Sequence, residues 1–174
     1  MKIFTNSEAA TWCNDRGFQC HAADAPHWRD PRINNCLQFV TRDKNHVAEA
    51  FIRGLIGSAE FDEAIVWLTD WPLYRPDEMA VIRRFRASIG EARDLIDAPA
   101  HVFDRQEADD CIGLFNLCIH YYFDAFMFVT NSNLIAYNSH DEVQYVSSLS
   151  NDEQQKIKTV VENYNLELLP LQRS

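Results

Sequence analysis

The sequence predicts an α+β fold (mixed α/β): a single globular domain over residues 1–174, with a central mixed sheet of about five to six strands, a C-terminal antiparallel meander and about five flanking helices. Three observations support this prediction. Apolar runs with strand composition alternate with segments whose apolar residues recur at helical spacing. The hydrophobic fraction of 47%, with only 5 Gly and 6 Pro, is typical of a packed globular chain. No repeat and no Gly/Ser-rich linker divides the chain.

The N-terminal elements follow from local patterns. The segment KIFT is a candidate edge strand, and a helix follows from about Asn6 or Ser7, either of which can cap it, to Gly17. The two prolines of HAADAPHWRDPRINN indicate a loop before the apolar strand CLQFV. The segment KNHVAEAFIRGLIG has helical spacing, and AIVWLT is typical of a strand buried on both faces. This order of elements is typical of a βαβ unit.

The C-terminal elements follow in the same way. Pro76 opens a helix that Gly90 ends, with an apolar stripe at Met79, Ile82, Phe85 and Ile89. The segment DLIDAPAHVFD is extended, and the strongest helix runs from about Arg105 to Tyr122. The apolar stripe of that helix comprises Ala108, Cys111, Ile112, Phe115, Cys118, Ile119 and Tyr122. Next, AFMFVT, LIAYNS and VQYVS form a three-strand meander, and NDEQQKIKTVVENYN closes the chain as a helix.

Charge and composition restrict the classes of partner. A net charge of -10 repels phosphate backbones, so we expect no nucleic-acid binding, and it favours a basic protein partner. No apolar run is long enough to span a membrane, and the amino terminus lacks the apolar core of a signal peptide. We therefore expect no membrane association. Five cysteines without a CxxC pair suit a reducing compartment, so we expect a cytoplasmic location. The oligomeric state stays open.

Metal, cofactor and thiol chemistry are not expected. Five possible zinc ligands lie in the N-terminal third, but none form the close pairs of a zinc knuckle: Cys13, Cys20, His21, His27 and Cys36. Cys111 and Cys118 lie in the apolar stripe of the strongest helix, which indicates core residues rather than nucleophiles. No phosphate-loop, dinucleotide or nucleophile-elbow pattern is present, so we predict neither a metal nor a cofactor.

The triplet His140-Asp141-Glu142 falls at the joint between two predicted strands. One interpretation is a polar turn, because short polar side chains hydrogen-bond to nearby backbone. The other is a functional loop, because a histidine beside carboxylates can transfer protons or contact a partner.

A second candidate lies where the AIVWLT strand ends, in Asp70, Trp71 and Tyr74. Ligand crevices of open α/β sheets lie beyond the carboxyl ends of strands, and Trp and Tyr often anchor interfaces. The alternative is that these aromatic residues only cover the edge of the core.

The one basic segment, VIRRFRASIGEAR, contains Arg83, Arg84 and Arg86. On a helix these three guanidinium groups would fan over the outer side. They are candidates for binding an anion or a carboxylate, and the alternative is ordinary salt bridging to nearby acids.

The ordered motifs WLTDW, RRFRASIGEARDLIDAPAHVF and SHDE, over roughly residues 60 to 145, resemble a group of small bacterial proteins of no assigned activity. The resemblance implies a bacterial α+β domain in which Asp70-Trp71, His101 and His140-Asp141-Glu142 should be tested together. It implies no catalytic role.

Two functions are compatible with these observations. The first is a non-enzymatic, acidic protein-binding domain, such as an immunity-type protein that neutralises a basic toxin, or an accessory subunit. The alternative is a small hydrolase or transferase that uses His140 with Asp141 or Glu142, together with His101 and Asp70. The absence of a recognisable nucleophile motif favours binding over catalysis.

Overall fold

The computed structural model describes residues 1–18, 20, 36–40, 48–58, 61–70, 79–132, 134–148 and 151–169. Within these ranges the strands are β1 Lys2–Phe4, β2 Leu37–Val40, β3 Glu63–Asp70, β4 Ala100–Asp104, β5 Asp124–Val129, β6 Leu134–Asn138, β7 Val143–Ser148 and β8 Glu167–Leu169. The helices are α1 Asn6–Asp15, α2 Ala48–Ser58, α3 Met79–Ser88, α4 Ala108–His120 and α5 Asn151–Asn163, with a 3-10 turn at Arg105–Glu107.

The described strands form one open sheet in the order β1-β4-β3-β5-β6-β7-β2-β8, and every neighbouring pair is antiparallel. The α+β class and the C-terminal meander β5-β6-β7 are confirmed. Among the described residues the sheet has eight strands, not five to six, and it is antiparallel rather than mixed. The strand β8 went unpredicted because its three residues carry too short a pattern to distinguish from a loop.

The predicted βαβ unit holds only as a crossover between strands that are not neighbours, because the successive antiparallel pairings from β3 to β2 make these two strands parallel. Strands β2 and β3 flank α2 in sequence, but β5, β6 and β7 lie between them in the sheet. Local periodicity identifies a strand without identifying its neighbour, which depends on distant segments.

Both faces of the sheet are covered, which explains the continuous apolar runs of its central strands. On one face, α2, α4 and α5 pack against residues such as Val66 and Met127. On the other face, Trp12 and Cys13 of α1 pack with Trp67, and a row of aromatic rings continues across the neighbouring strands. No helix among the described residues has the length and apolar character that a membrane span requires.

The apolar stripes are largely as predicted. Phe115 in α4 and Phe51 in α2 are buried, whereas Ile89 and Tyr122 are about two-fifths exposed because both lie just beyond the ends of their helices. The predicted cap of α1 is wrong by one residue, since Thr5 accepts from the backbone of the first turn in a capping box. Pro76 and the part of the predicted helix KNHVAEAFIRGLIG that precedes Ala48 lie outside the described residues.

Four of the described helices end with a residue in the left-handed conformation: Gly17 after α1, Gly90 after α3, Tyr122 after α4 and Asn165 after α5. In each case the next residue's N–H donates to the carbonyl five residues before it, which is the Schellman arrangement. Glycine and asparagine are the usual residues at this position. Tyr122 is therefore the exception among the four.

A buried amide pair fixes the end of α4 against the sheet. The side-chain amide of Asn138 donates to the carbonyls of Cys118 (3.1 Å) and Phe123 (2.6 Å), and Gln144 donates to its oxygen. Asn138 and Gln144 are at most 2% exposed. Asn138 therefore gives the Cys118 carbonyl a second donor beside the N–H of Phe123, and it holds the start of β5 in place.

Candidate functional site

The candidate site lies at the end of the sheet where β3 stops, β5 starts and β6 turns into β7. Asp70 is the last residue of β3, and its Cα pairs across the strands with that of Asp124, the first residue of β5, beside an irregularity in the ladder. The side chain of Thr69 donates to the carbonyl of Asp124. His140 lies in the β6–β7 turn. The antiparallel register therefore brings together residues that are about 70 positions apart in sequence.

His140 is attached to Asp124 through both its backbone and its ring. Its backbone N–H donates to Asp124 Oδ1 at 2.6 Å, and its Nδ1 lies 2.9 Å from the same oxygen. Because a carboxylate accepts only, Nδ1 carries the proton in this pair. The His140 side chain is 54% exposed and that of Asp124 is 12% exposed. A largely buried carboxylate thus orients a half-exposed imidazole.

Acidic groups determine the electrostatics around His140. Its pKa is raised above the ordinary value of 6.5, first by the hydrogen bond to Asp124 and further by the charges of Asp124, Asp141 and Asp70. Burial opposes this shift. The pKa of the neighbouring Tyr137 is also raised, by burial and then by the carboxylate of Asp124. Protonated His140 is therefore the charge state that this acidic setting favours.

The triplet His140-Asp141-Glu142 does form a tight turn, in which the N–H of Glu142 donates to the carbonyl of Ser139 at 3.1 Å. Asp141 is 78% exposed at its side chain and lies 3.7 Å from Nε2 of His140. Glu142 has a φ of 64°, the left-handed region that turns often use. The turn interpretation and the site interpretation are thus compatible.

His101 does not join this site, which corrects its prediction as a residue that contacts a partner. It is 0% exposed, and its Cα pairs with that of Val66, about 13 Å along β3 from Asp70. It lies beside the ring of Phe85 and 3.5 Å from Nη1 of Arg86. Burial, together with the charge of Arg86, lowers the pKa of His101 to about 3. His101 is a neutral core residue.

The three arginines of α3 do not form one exposed group. Arg83 and Arg84 are exposed as predicted, but Arg86 is 2% exposed, so its prediction as an outward-facing anion ligand is wrong. Its guanidinium donates to the carbonyls of Ala98 (2.6 Å) and Arg93 (2.9 Å). The helical periodicity indicated which residues share a face, but not that the loop after α3 folds back over one of them.

Trp71 and Tyr74 lie outside the described residues. The sequence does not predict Asp124 as a residue of this sheet end, and it predicts Tyr122 only as part of the apolar stripe of α4. Asp124 carried a usable signal, since an acid at the start of a fully apolar strand usually has a partner. For Tyr122 the signal was the absence of a glycine or asparagine where α4 had to stop.

The chemistry available at this site is proton transfer and charge recognition. Within the described ranges, no group of three or more His, Cys, Asp or Glu side chains is placed to hold a metal ion. All five cysteines are buried. Burial raises the pKa of Cys36 to about 12, and it raises that of Cys111 and Cys118 as well, so these thiols are poor nucleophiles.

Comparison with known proteins finds no matching family model and no significant match among curated proteins or solved structures. The resemblance to small bacterial proteins therefore stays a prediction.

Proposed function

We propose that this protein is a non-enzymatic, acidic binding domain that recognises a basic protein surface through the sheet end around His140. One observation carries the proposal: Asp70, Asp124 and Asp141 lie together at one end of the sheet, where Asp124 contacts the half-exposed imidazole of His140 at 2.9 Å and Asp70 pairs across the strands with Asp124. Such a domain can act as an immunity-type protein that neutralises a basic toxin, or as an accessory subunit.

Both the net charge of the chain and the local charge at this end of the sheet support the proposal. The chain carries a net charge of -10, and the exposed carboxylates of Asp70 and Asp141 project from one end of the sheet. Long-range attraction raises the rate of encounter with a cationic surface. Charges at the solvent-exposed rim of an interface influence the association rate more than the dissociation rate. Asp70 at the end of β3 and Asp141 in the β6–β7 turn can form such a rim.

Tyr122, an exposed aromatic residue just before the start of β5, is a candidate anchor. Tyr122 is 40% exposed and lies two residues before Asp124, in a backbone conformation that tyrosine rarely adopts. Tyrosine is enriched at the positions of interfaces that carry most binding energy. Backbone strain retained at an exposed aromatic residue often accompanies a functional role. Trp71 and Tyr74, which follow Asp70 in sequence, remain further anchor candidates.

The test compares two charge-neutralising variants at opposite ends of the same strand. Asp70→Asn removes a carboxylate at the proposed rim, and Asp62→Asn removes an exposed one next to the start of β3. Partners captured from the source cells by wild-type protein are identified, purified and measured by surface plasmon resonance at two salt concentrations. Asp70→Asn should slow association several-fold more than Asp62→Asn, and the difference should shrink at high salt.

Tyr122→Ala provides a second, independent readout. Loss of a desolvated anchor should mainly accelerate dissociation, on the order of tenfold or more, with little change in the association rate. Equal effects of Asp70→Asn and Asp62→Asn, combined with unchanged dissociation of Tyr122→Ala, would place the interface elsewhere.

A second candidate function, proton-transfer catalysis in a small hydrolase or transferase, is supported by the 2.9 Å contact between His140 Nδ1 and Asp124. This pairing orients the imidazole so that it can act as a general acid or base. Asp124, rather than Asp141 or Glu142 as the sequence predicts, is then the carboxylate that works with His140. It is tested with a panel of carboxylic and phosphoric esters. Turnover that disappears in His140→Ala but persists in His120→Ala, an exposed histidine of α4, would favour catalysis over binding.

A further inference from the structure

A cleft of about 260 Å³ lies between α3 and the segment that follows it. Three arginines line this cleft, Arg83, Arg86 and Arg93, together with the carboxylates of Glu91 and Asp94. The formal charge of these five groups is therefore +1, in a chain whose net charge is -10. A locally positive concavity on an acidic protein suggests recognition of an anion.

Arg86 forms the wall of this cleft as a buried cation whose polar contacts are to neutral groups. It is 2% exposed, and its hydrogen bonds go to the backbone carbonyls of Ala98, Arg93 and Asp94. Its Nη1 also lies 3.5 Å from Nε2 of His101, which is neutral at ordinary pH. Within the described part of the chain, no carboxylate lies within ion-pair distance of Arg86. Its charge is therefore not neutralised by an ion pair, and the carboxylates of Glu91 and Asp94 offset it only over a longer distance.

The other charges of the cleft leave a net charge of +1 in place, because Glu91 pairs with Arg93 and Asp94 alone offsets the two cations Arg83 and Arg86. Both oxygens of Glu91 bind Arg93, at 2.6 to 3.1 Å, and this pairing lowers the pKa of Glu91 to about 2. Arg93 is further held by the carbonyl of Ile3 on the edge strand β1. The Glu91–Arg93 pair thus neutralises itself. Arg83 is exposed and makes no hydrogen bond or ion pair with any described residue, so its donors are available to a ligand.

We propose that this cleft binds a small oxyanion, a phosphate or a carboxylate group, with Arg83 as the ligand-contacting residue and Arg86 as the fixed positive charge behind it. Arginine matches both groups because its planar fork can donate two parallel hydrogen bonds to their oxygens. Arg84, the neighbouring residue of α3, does not line the cleft. Of the arginines predicted from sequence as anion ligands, only Arg83 takes that role directly.

The experiment is an NMR titration of ¹⁵N-labelled full-length protein with sodium phosphate, sodium succinate or sodium chloride at matched ionic strength. Saturable shifts are expected for amides of residues 83–95 with phosphate, succinate or both, and not with chloride. A response to one of the first two salts alone identifies the phosphoryl or the carboxylate group as the ligand. Shifts that follow ionic strength equally in all three salts would overturn the proposal.

Arg83→Gln and Arg84→Gln form a matched pair on one exposed helix face. Arg83→Gln should weaken the saturable binding about tenfold, the effect of losing roughly one charge-assisted hydrogen bond, while Arg84→Gln should change it less than about twofold. Equal effects of the two variants would show general charge attraction rather than a site, and would also overturn the proposal. Neither result bears on partner binding at Asp70, so the two proposals can fail separately.

Discussion

Tyr122 offers a direct test of how much backbone strain the protein keeps at its proposed interface. Its φ is 58°, a region that costs a residue with a Cβ atom about 1–2 kcal/mol, whereas glycine adopts it freely. Tyr122→Ala keeps this cost and removes the ring, while Tyr122→Gly removes both. The greater freedom of glycine in the unfolded chain offsets about 0.5–1 kcal/mol. The Gly variant should therefore be more stable than the Ala variant by roughly 0.5–1 kcal/mol.

The measurement is urea unfolding of both variants, followed by circular dichroism, with the free energies compared at equal slope. Gly17→Ala is the reverse control, because Gly17 ends α1 in the same conformation at φ 83° and an added Cβ would meet no atom within 4 Å. It should destabilise the protein by roughly 0.5–1 kcal/mol, because the same backbone strain is again partly offset by the lower freedom of alanine in the unfolded chain. If Tyr122→Gly is no more stable than Tyr122→Ala while Gly17→Ala behaves as expected, the strain assigned to Tyr122 is refuted.

Three further predictions concern the core, the buried cation and the histidine. Phe115→Ala, at a position 1% exposed in α4, should cost about 3–5 kcal/mol in chemical denaturation, and a loss under about 1 kcal/mol would place the residue outside the core. Arg86→Met should destabilise by about 1–3 kcal/mol or more, because it leaves buried carbonyls without donors, and hydrogen exchange should accelerate over residues 93–98. Since the folded-state pKa of His140 is raised above 6.5, the stability gained from its pairing is fully present below pH 6.5 and disappears as pH rises through the folded-state value. Asp124→Asn should shift the NMR titration of His140 back towards 6.5 and remove most of this pH dependence, while Asp141→Asn, whose contact is longer at 3.7 Å, should have a smaller effect.

The secondary structure was largely predictable because it depends on local patterns. The continuous apolar run of β3 correctly indicated a strand covered on both faces, and the 3.6-residue spacing of α4 indicated its buried stripe. Elements with short or mixed patterns were harder to predict from the sequence. The strand β8 has three residues, and β4 occupies only the second half of a segment that had been predicted as extended throughout. Such segments become strands because a neighbouring strand offers its hydrogen-bonding edge.

The site was less predictable because it is built from pairings between distant segments. The sequence by itself identified Asp70 and His140 as candidates, and it established the acidity that supports a basic partner. Only the tertiary structure could decide that Asp124, rather than Asp141, holds the imidazole, and that His101 lies in the core. Strand order decided which residues meet, and a loop folding back over α3 decided which arginine is buried. Both outcomes follow from contacts between residues far apart in the chain, which local periodicity does not encode.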